Sequence, residues 1–255
     1  MNVDNSQVLG TRKIITGARA LKPTEILVFN NVQDEVQVNE TGLSIHKKEK
    51  VLHTIIKRMI DFIGGLFGTL ALIPLTIIIF IANKITKDDG PIFFIQERIG
   101  KDGKIFKMYK YRSMVVGADE KLKEYLQENK KASEEYRINK KLKDDPRITK
   151  VGNFIRKTSI DEFPQFINVL KGEMSLVGPR PYLPREKEDM GTYYNCIVSK
   201  KPGITGFWQV NGRSEVNFED RLEMDMNYYN QSSIGLDVKL LAKTVSAVVK
   251  KEGAA

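Results

Sequence analysis

Residues 158–165 read TSIDEFPQ, and the adjacent acids Asp161 and Glu162 are the pair around which chemistry could be organised. A structural role is available to them. Ser159-Ile160-Asp161-Glu162 fits the S-x-x-E capping box, and Phe163, Phe166, Ile167 and Leu170 continue an apolar helical face. Pro164 suits a helix start, where acids in the first turn offset the helix dipole. The neighbours point further. Arg147, Arg156 and Lys157 lie just upstream, and Arg180 sits in the rigid turn Gly178-Pro179-Arg180-Pro181. Arginine grips phosphate with a bidentate fork, and a helix N-terminus offers N–H groups to the same anion. Two acids beside a phosphate would repel it unless a divalent cation or covalent chemistry intervenes. Mg²⁺ takes one or two carboxylates plus substrate phosphates, and an aspartate can itself attack phosphorus to give an acyl phosphate. Both roles are open for this pair.

Composition narrows the alternatives. With a single cysteine, Cys196, an intrachain disulfide and multi-cysteine metal centres are excluded. The two histidines, His46 and His53, precede the long apolar run, so a base further along would have to be Asp, Glu, Lys, Tyr or Cys. A net charge of +9 suits a polyanionic partner such as nucleic acid, anionic lipid or nucleotide phosphate. No surface cluster of base-stacking aromatics interleaved with Lys and Arg stands out, so nucleic acid is not expected.

The element that sets location is Phe62 to Ala82, FIGGLFGTLALIPLTIIIFIA, 21 residues without a charge. As a helix it reaches roughly 30 Å, one hydrocarbon core. Lys57 and Arg58 precede it, and Lys84 and Lys87 follow it. Positive charge favours the cytoplasmic side, so cations at both ends give no clear orientation for a simple span. Pro74 near the middle removes a backbone hydrogen bond. A kinked span and a helix that bends at Pro74 and returns to the same face both satisfy these facts.

The remainder divides into residues 1–50, a polar extension with one expected short strand (EILVF, 25–29) and no secretory signal; residues 51–86, the membrane helix; and residues 87–255, a catalytic domain. GPIFFIQERIGKDGKIFKMYKYRSM predicts a hairpin, with Gly100 and Gly103 in its turn and alternation through Ile105, Lys107 and Tyr109. The densely charged 119–150 stretch, with Leu122, Tyr125 and Leu126 at helical spacing, reads as a solvated helical face. Val238, Leu241, Val245 and Val248 form an apolar stripe on a lysine-rich helix. It suits packing on the core or lying on an anionic membrane surface.

KRMIDFIGGLFGTLALIP, GPIFFIQERIGKDGKIFKMYKYRSM, DDPRITKVGNFIRKTSIDEFPQFINVLKGEMSLVGPRP and PGITGFWQVNGR together resemble the bacterial sugar transferase family, over about residues 55–255. These are the monotopic polyprenyl-phosphate phosphoglycosyl transferases. The resemblance implies a mostly helical α+β fold. A re-entrant membrane helix bent at Pro74 would precede a compact cytosolic catalytic domain with interfacial amphipathic helices, at the cytoplasmic face of a bacterial membrane. It implies transfer of a sugar 1-phosphate from a UDP-sugar to undecaprenyl phosphate, with release of UMP and a requirement for Mg²⁺, through an aspartyl–phosphosugar intermediate. Asp161 would be the nucleophile, Glu162 with Asp161 would hold Mg²⁺, Arg156 and Arg180 would bind phosphate, and Asp225 would assist the second step. A surface charge on a helix is the other reading of Asp225. Arg213 would contact phosphate or nucleotide, or stabilise its turn, and Trp208 would stack on uracil or belong to the core. Family members often carry serine before the bending proline, where this chain has Ile73. The chain resembles the minimal catalytic form, and the weak sugar preference is for galactose or glucose. Its partners would be these two substrates and membrane lipid, with homo-oligomerisation open. A non-enzymatic membrane-anchored scaffold of a polysaccharide assembly complex is the alternative.

Overall fold

The computed structural model describes residues 51–139, 142–211 and 217–250. The expected strand at 25–29 and the candidate Arg213 lie outside these residues. Helix α1, Val51–Ile85, is a single 35-residue helix that runs through Pro74. One stripe of it faces protein: Asp61, Gly65, Leu72, Ile79 and Asn83 are buried, at spacings of four and seven residues. The opposite side exposes Phe62, Phe67, Leu70, Ile73, Ile77, Ile78 and Phe80. Apolar exposure on this scale marks a lipid- or partner-facing surface.

Polar groups fasten the N-terminal half of α1. Lys57 Nζ reaches Asp237 and the Val177 carbonyl; Asp61 accepts from Ser175 Oγ and the Leu176 N–H, both at 2.9 Å. Buried charges are tolerated when hydrogen-bonded in this way, and removing one partner is costly. Close packing continues the seam, since a Cβ on Gly68 would lie 2.2 Å from Phe166 Cγ.

Strands β1 (Phe93–Ile99) and β2 (Ile105–Tyr111) form the expected antiparallel hairpin, with Arg98 opposite Phe106 and Phe94 opposite Lys110. Residues paired across an antiparallel ladder share a face, so Gln96, Arg98 and Lys110 project to one side of it. Helices α2 (Ala118–Glu128) and α3 (Lys130–Asn139) bury only a small cluster of Leu122, Ala132 and Leu142, in keeping with a solvated face. Helix α4, Lys150–Lys157, is capped by Thr149, whose side chain accepts from the Gly152 N–H.

The capping box expected at Ser159 is not formed. Ser159 is left-handed (φ 57°) and makes no side-chain cap bond; Ile160–Glu162 form one 3₁₀ turn, and helix α5 (Gln165–Lys171) starts after Pro164. The chain reverses between α4 and α5 within this corner, and that reversal takes precedence over the local S-x-x-E pattern.

Strand β3 (Ser175–Val177), helix α6 (Tyr194–Val198) and strand β4 (Gly203–Thr205) follow, with β3 and β4 paired in parallel. A Cβ on Gly203 would sit 2.1 Å from the Gly178 nitrogen, so only glycine permits this approach. Short helix α7 (Phe207–Asn211) and helices α8 (Phe218–Gln231) and α9 (Ile234–Lys250) complete the unit. The main core joins Phe106 and Met108 of β2, Val169, Met174, Val177, Phe207, Tyr228 and Leu240. The α9 stripe divides. Leu241 packs against the core beside the buried Leu240 and Asp237, whereas Val238 and Val245 are 55% and 64% exposed, so core packing does not hold for these two valines.

Candidate active site

The 3₁₀ turn explains how Asp161 and Glu162 are presented. Residues three apart eclipse in such a turn. Ile160 and Phe163 thus point the same way, into a cluster with Leu72 and Ile79 of α1, Tyr111 and Ile155. The two acids between them are left on the other side, half-buried. The turn that carries the pair therefore packs against the apolar helix. Asn168, fully buried, locks α5 to the hairpin: its amide donates to the Lys107 carbonyl at 2.7 Å, and its Oδ1 accepts from the Tyr109 N–H.

Asp161 makes no ion pair among the described residues. Burial and then the Glu162 charge push its carboxyl up to about 6, against the pull of Lys110 and Arg156. Glu162 is held by Lys110 at 3.2 Å. Arg156, in the last turn of α4, is half-buried and, like Asp161, makes no ion pair among the described residues. Arg147 differs. It is buried in a forked pair with Asp145 at 2.8 and 2.6 Å, which spends its guanidinium on the chain itself. Lys157 is exposed.

The β3–β4 pair brings the Gly178-Pro179-Arg180-Pro181 turn beside α7. The Gly203 N–H donates to the Pro179 carbonyl, and the Arg180 guanidinium lies over the Trp208 ring, 4.9 Å from its centroid. Arg221 of α8 approaches the same ring at 5.7 Å. Trp208 is thus a half-buried platform between two arginines, not a core tryptophan. Asp225 is not a surface charge. It is fully buried, and its Oδ2 accepts from the Arg180 N–H at 3.0 Å and from the Tyr182 hydroxyl at 2.8 Å. Burial pushes its carboxyl up to about 7, opposed by those two hydrogen bonds and by the charges of Arg180 and Arg221.

Of the residues singled out from the sequence, Asp161, Glu162 and Arg156 come together at the α4–α5 corner, while Asp225 of α8 is hydrogen-bonded to the neighbouring turn that carries Arg180. Sequence reasoning missed Lys110 and Arg98. The period-two alternation of the hairpin was the available signal, since its register puts both on one face. As a donor set, Asp161 and Glu162 fit a hard divalent cation that completes its shell from substrate phosphates. No third acid or histidine joins them among the described residues.

This arrangement has relatives. The family model described as bacterial sugar transferase matches residues 52–251. Galactosyl transferase CpsE of Streptococcus agalactiae serotype III (strain NEM316) is 43% identical over 235 residues, 90% of this chain and 51% of its own length. Undecaprenyl-phosphate galactose phosphotransferase of Salmonella typhimurium is 43% identical over 199 residues, 78% of this chain and 41% of its own. The exopolysaccharide production protein ExoY of Sinorhizobium fredii is 39% identical over 78% of this chain and 88% of its own. The chain thus spans about half or less of the two galactose-named relatives and most of ExoY. With the family model matching most of its length, the chain belongs to the bacterial sugar transferase family.

Proposed function

We propose that this chain is a membrane-anchored phosphoglycosyl transferase that moves a sugar 1-phosphate from a UDP-sugar to undecaprenyl phosphate. This would be the first step in assembling a capsule, exopolysaccharide or related glycoconjugate. The observation that carries the proposal is the Asp161 carboxylate, without an ion pair among the described residues and set among cations on the turn that packs against the apolar helix. In the first step an Asp161 carboxylate oxygen attacks the β-phosphorus, and UMP departs with the bridging oxygen. In the second step a phosphate oxygen of undecaprenyl phosphate attacks the same phosphorus, which frees Asp161 and leaves the lipid diphosphate sugar. Arg156 and Arg180 bind the phosphate oxygens and offset their charge, so an anionic nucleophile can approach. Lys110 holds Glu162 in register beside Asp161. Glu162 with Asp161 would hold Mg²⁺, which would supply further neutralisation of the pyrophosphate. Asp225 positions Arg180 through its backbone N–H.

Galactose or glucose is the sugar we favour, and the galactose named in two relatives supports the first. UMP release from a panel of UDP-sugars, with undecaprenyl phosphate and Mg²⁺, tests the reading. Release from one or two UDP-hexoses that stops on chelation is expected. No release from any UDP-sugar by the folded protein would favour the scaffold.

The position of α1 supports monotopic insertion from the cytoplasmic face. Its buried stripe runs from Asp61 to Asn83, and Lys57 adds a tie near its start, so the helix stays against the domain throughout. A spanning helix would have to leave the domain behind on one side. We take Pro74 as the bend of a re-entrant helix. Val51→Cys and Asp89→Cys, at exposed sites flanking the apolar run, test this in whole cells, where the native Cys196 is buried. Neither is expected to react with a membrane-impermeant maleimide until the cytoplasmic face is opened. Labelling of one site from outside would establish a span.

A further inference from the structure

Arg98 carries a charge with which no carboxylate among the described residues makes a direct ion pair. Its side chain lies in β1 on the face shared with Gln96 and Lys110, and only 7% of the residue is exposed. Buried guanidinium groups are ordinarily paired with carboxylates, because an uncompensated buried cation is costly. Here both terminal nitrogens go to neutral acceptors, Nη1 to the Pro181 carbonyl at 2.8 Å and Nη2 to Gln96 Oε1. The Nε–H, also buried, has no partner among the described residues, and Arg98 forms no ion pair among them. Arg112 on the same hairpin shows the contrast, since it is equally buried and pairs with Asp88 at 2.7 Å.

The surroundings place this cation at the site already described. The Pro181 carbonyl that it holds belongs to the turn carrying Arg180, and the Ile99 N–H donates to the Tyr182 carbonyl of the same segment. The charges of Arg180, Glu186 and Glu162 all act on it; burial and then the Arg180 repulsion lower its pKa to about 10, opposed by the two glutamates. Arg98, Lys110, Arg156, Arg180, Arg185 and Arg221 thus stand around four acids, Asp161, Glu162, Glu186 and Asp225. That leaves an excess of positive charge in a half-enclosed place, which matches a dianionic pyrophosphate or a lipid phosphate monoester.

We propose that Arg98 is a further phosphate-binding residue of this site, a buried guanidinium preformed to take a phosphate anion of the nucleotide or of the lipid acceptor. The proposal rests on the reading given under the proposed function. The Nε–H supplies a donor that is already desolvated, so the anion would gain a charge-assisted hydrogen bond without displacing a protein partner.

Arg98→Gln and Arg98→Lys in the full-length chain, in lipid nanodiscs, test it. Gln retains a donor for the Pro181 carbonyl and removes the charge; Lys retains the charge and removes the fork. The single tryptophan, Trp208, stacked on Arg180, provides a fluorescence readout of binding for UDP and, as a control, uridine. If Arg98 holds the nucleotide, R98Q weakens UDP by about 10-fold or more, R98K by less, and uridine binding is unchanged. If it holds the acceptor, UDP affinity is kept, and KM for undecaprenyl phosphate rises by about the same factor with kcat preserved. Unchanged affinity for both, with a lowered melting temperature, would overturn the proposal and leave Arg98 as a strut for Pro181. Uridine and UDP weakened together would overturn it also, because loss of charge would not explain it. A wild-type protein that binds no UDP and releases no UMP would instead defeat the functional reading itself.

Discussion

Asp161→Asn is expected to remove UMP release by a factor on the order of 10⁴ or more, the scale of losing one member of a covalent-catalysis unit. Asparagine keeps the shape and cannot form the acyl phosphate, whereas binding through Arg156 and Arg180 is untouched. Affinity for UDP should therefore hold while turnover disappears. The fold should not suffer either. In the native turn the Asp161 carboxylate is partly desolvated and repelled by Glu162, and both effects raise its pKa. A neutral amide relieves both, so the melting temperature is expected to stay level or rise. A variant that lost activity together with its melting transition would show only that the corner needs aspartate to fold. Assay of UMP release beside a thermal melt separates the two.

Asp225 gives the second large effect, through two substitutions that should part company. Asp225→Ala removes the acceptor for the Arg180 N–H and the Tyr182 hydroxyl, and the turn carrying the Arg180 guanidinium is expected to shift. A misplacement of about 1 Å can cost roughly 10²-fold in rate, and that is the loss expected. Asp225→Asn keeps an oxygen for both donors and should retain most activity. If Asp225 instead exchanged a proton with the acceptor phosphate, both variants would be equally impaired. The pH dependence of stability offers an independent check. The folded-state pKa is raised from 3.8 to about 7, so the folded protein keeps a proton that the unfolded chain releases. The stability from this group is present in full below about pH 4 and lost as pH rises to about 7. Arg180, Arg221 and Tyr182 face the carboxyl and limit the rise. Melts of D225N across that range should show a flatter slope than the native chain; an identical slope would assign the effect elsewhere.

What was legible in the sequence was what depends on neighbours along the chain. The hairpin could be read because Phe93 to Tyr109 alternates around a glycine turn, and α1 because a long uncharged run has few folded alternatives. The chemical pair was visible as types and spacing. Its presentation was not: Ser159 fits a capping box locally, yet the α4–α5 reversal holds it left-handed and sets the acids on a 3₁₀ turn. Other errors came from partners far along the chain. Asp237 faces inward because Lys57, 180 positions earlier, neutralises it, and that turns Val238 and Val245 of the expected stripe outward. The surface reading of Asp225 stayed open beside the assisting one because its two donors lie 45 and 43 positions away. The β3–β4 pairing that sets Arg180 over Trp208 joins two short stretches too brief to carry a strand pattern of their own.

The central claim is that Asp161 becomes covalently attached to the sugar phosphate. Its most direct test is intact-protein mass spectrometry of the full-length chain incubated with UDP-galactose or UDP-glucose and Mg²⁺, with undecaprenyl phosphate withheld. The expected result is a gain of one sugar phosphate, mapped by proteolysis to the peptide containing Asp161, absent from D161N and discharged when undecaprenyl phosphate is added. Lipid-linked product formed at full rate with no adduct at any time, and UMP released only when both substrates are present, would mean direct transfer between them and would contradict the assignment of Asp161 as nucleophile.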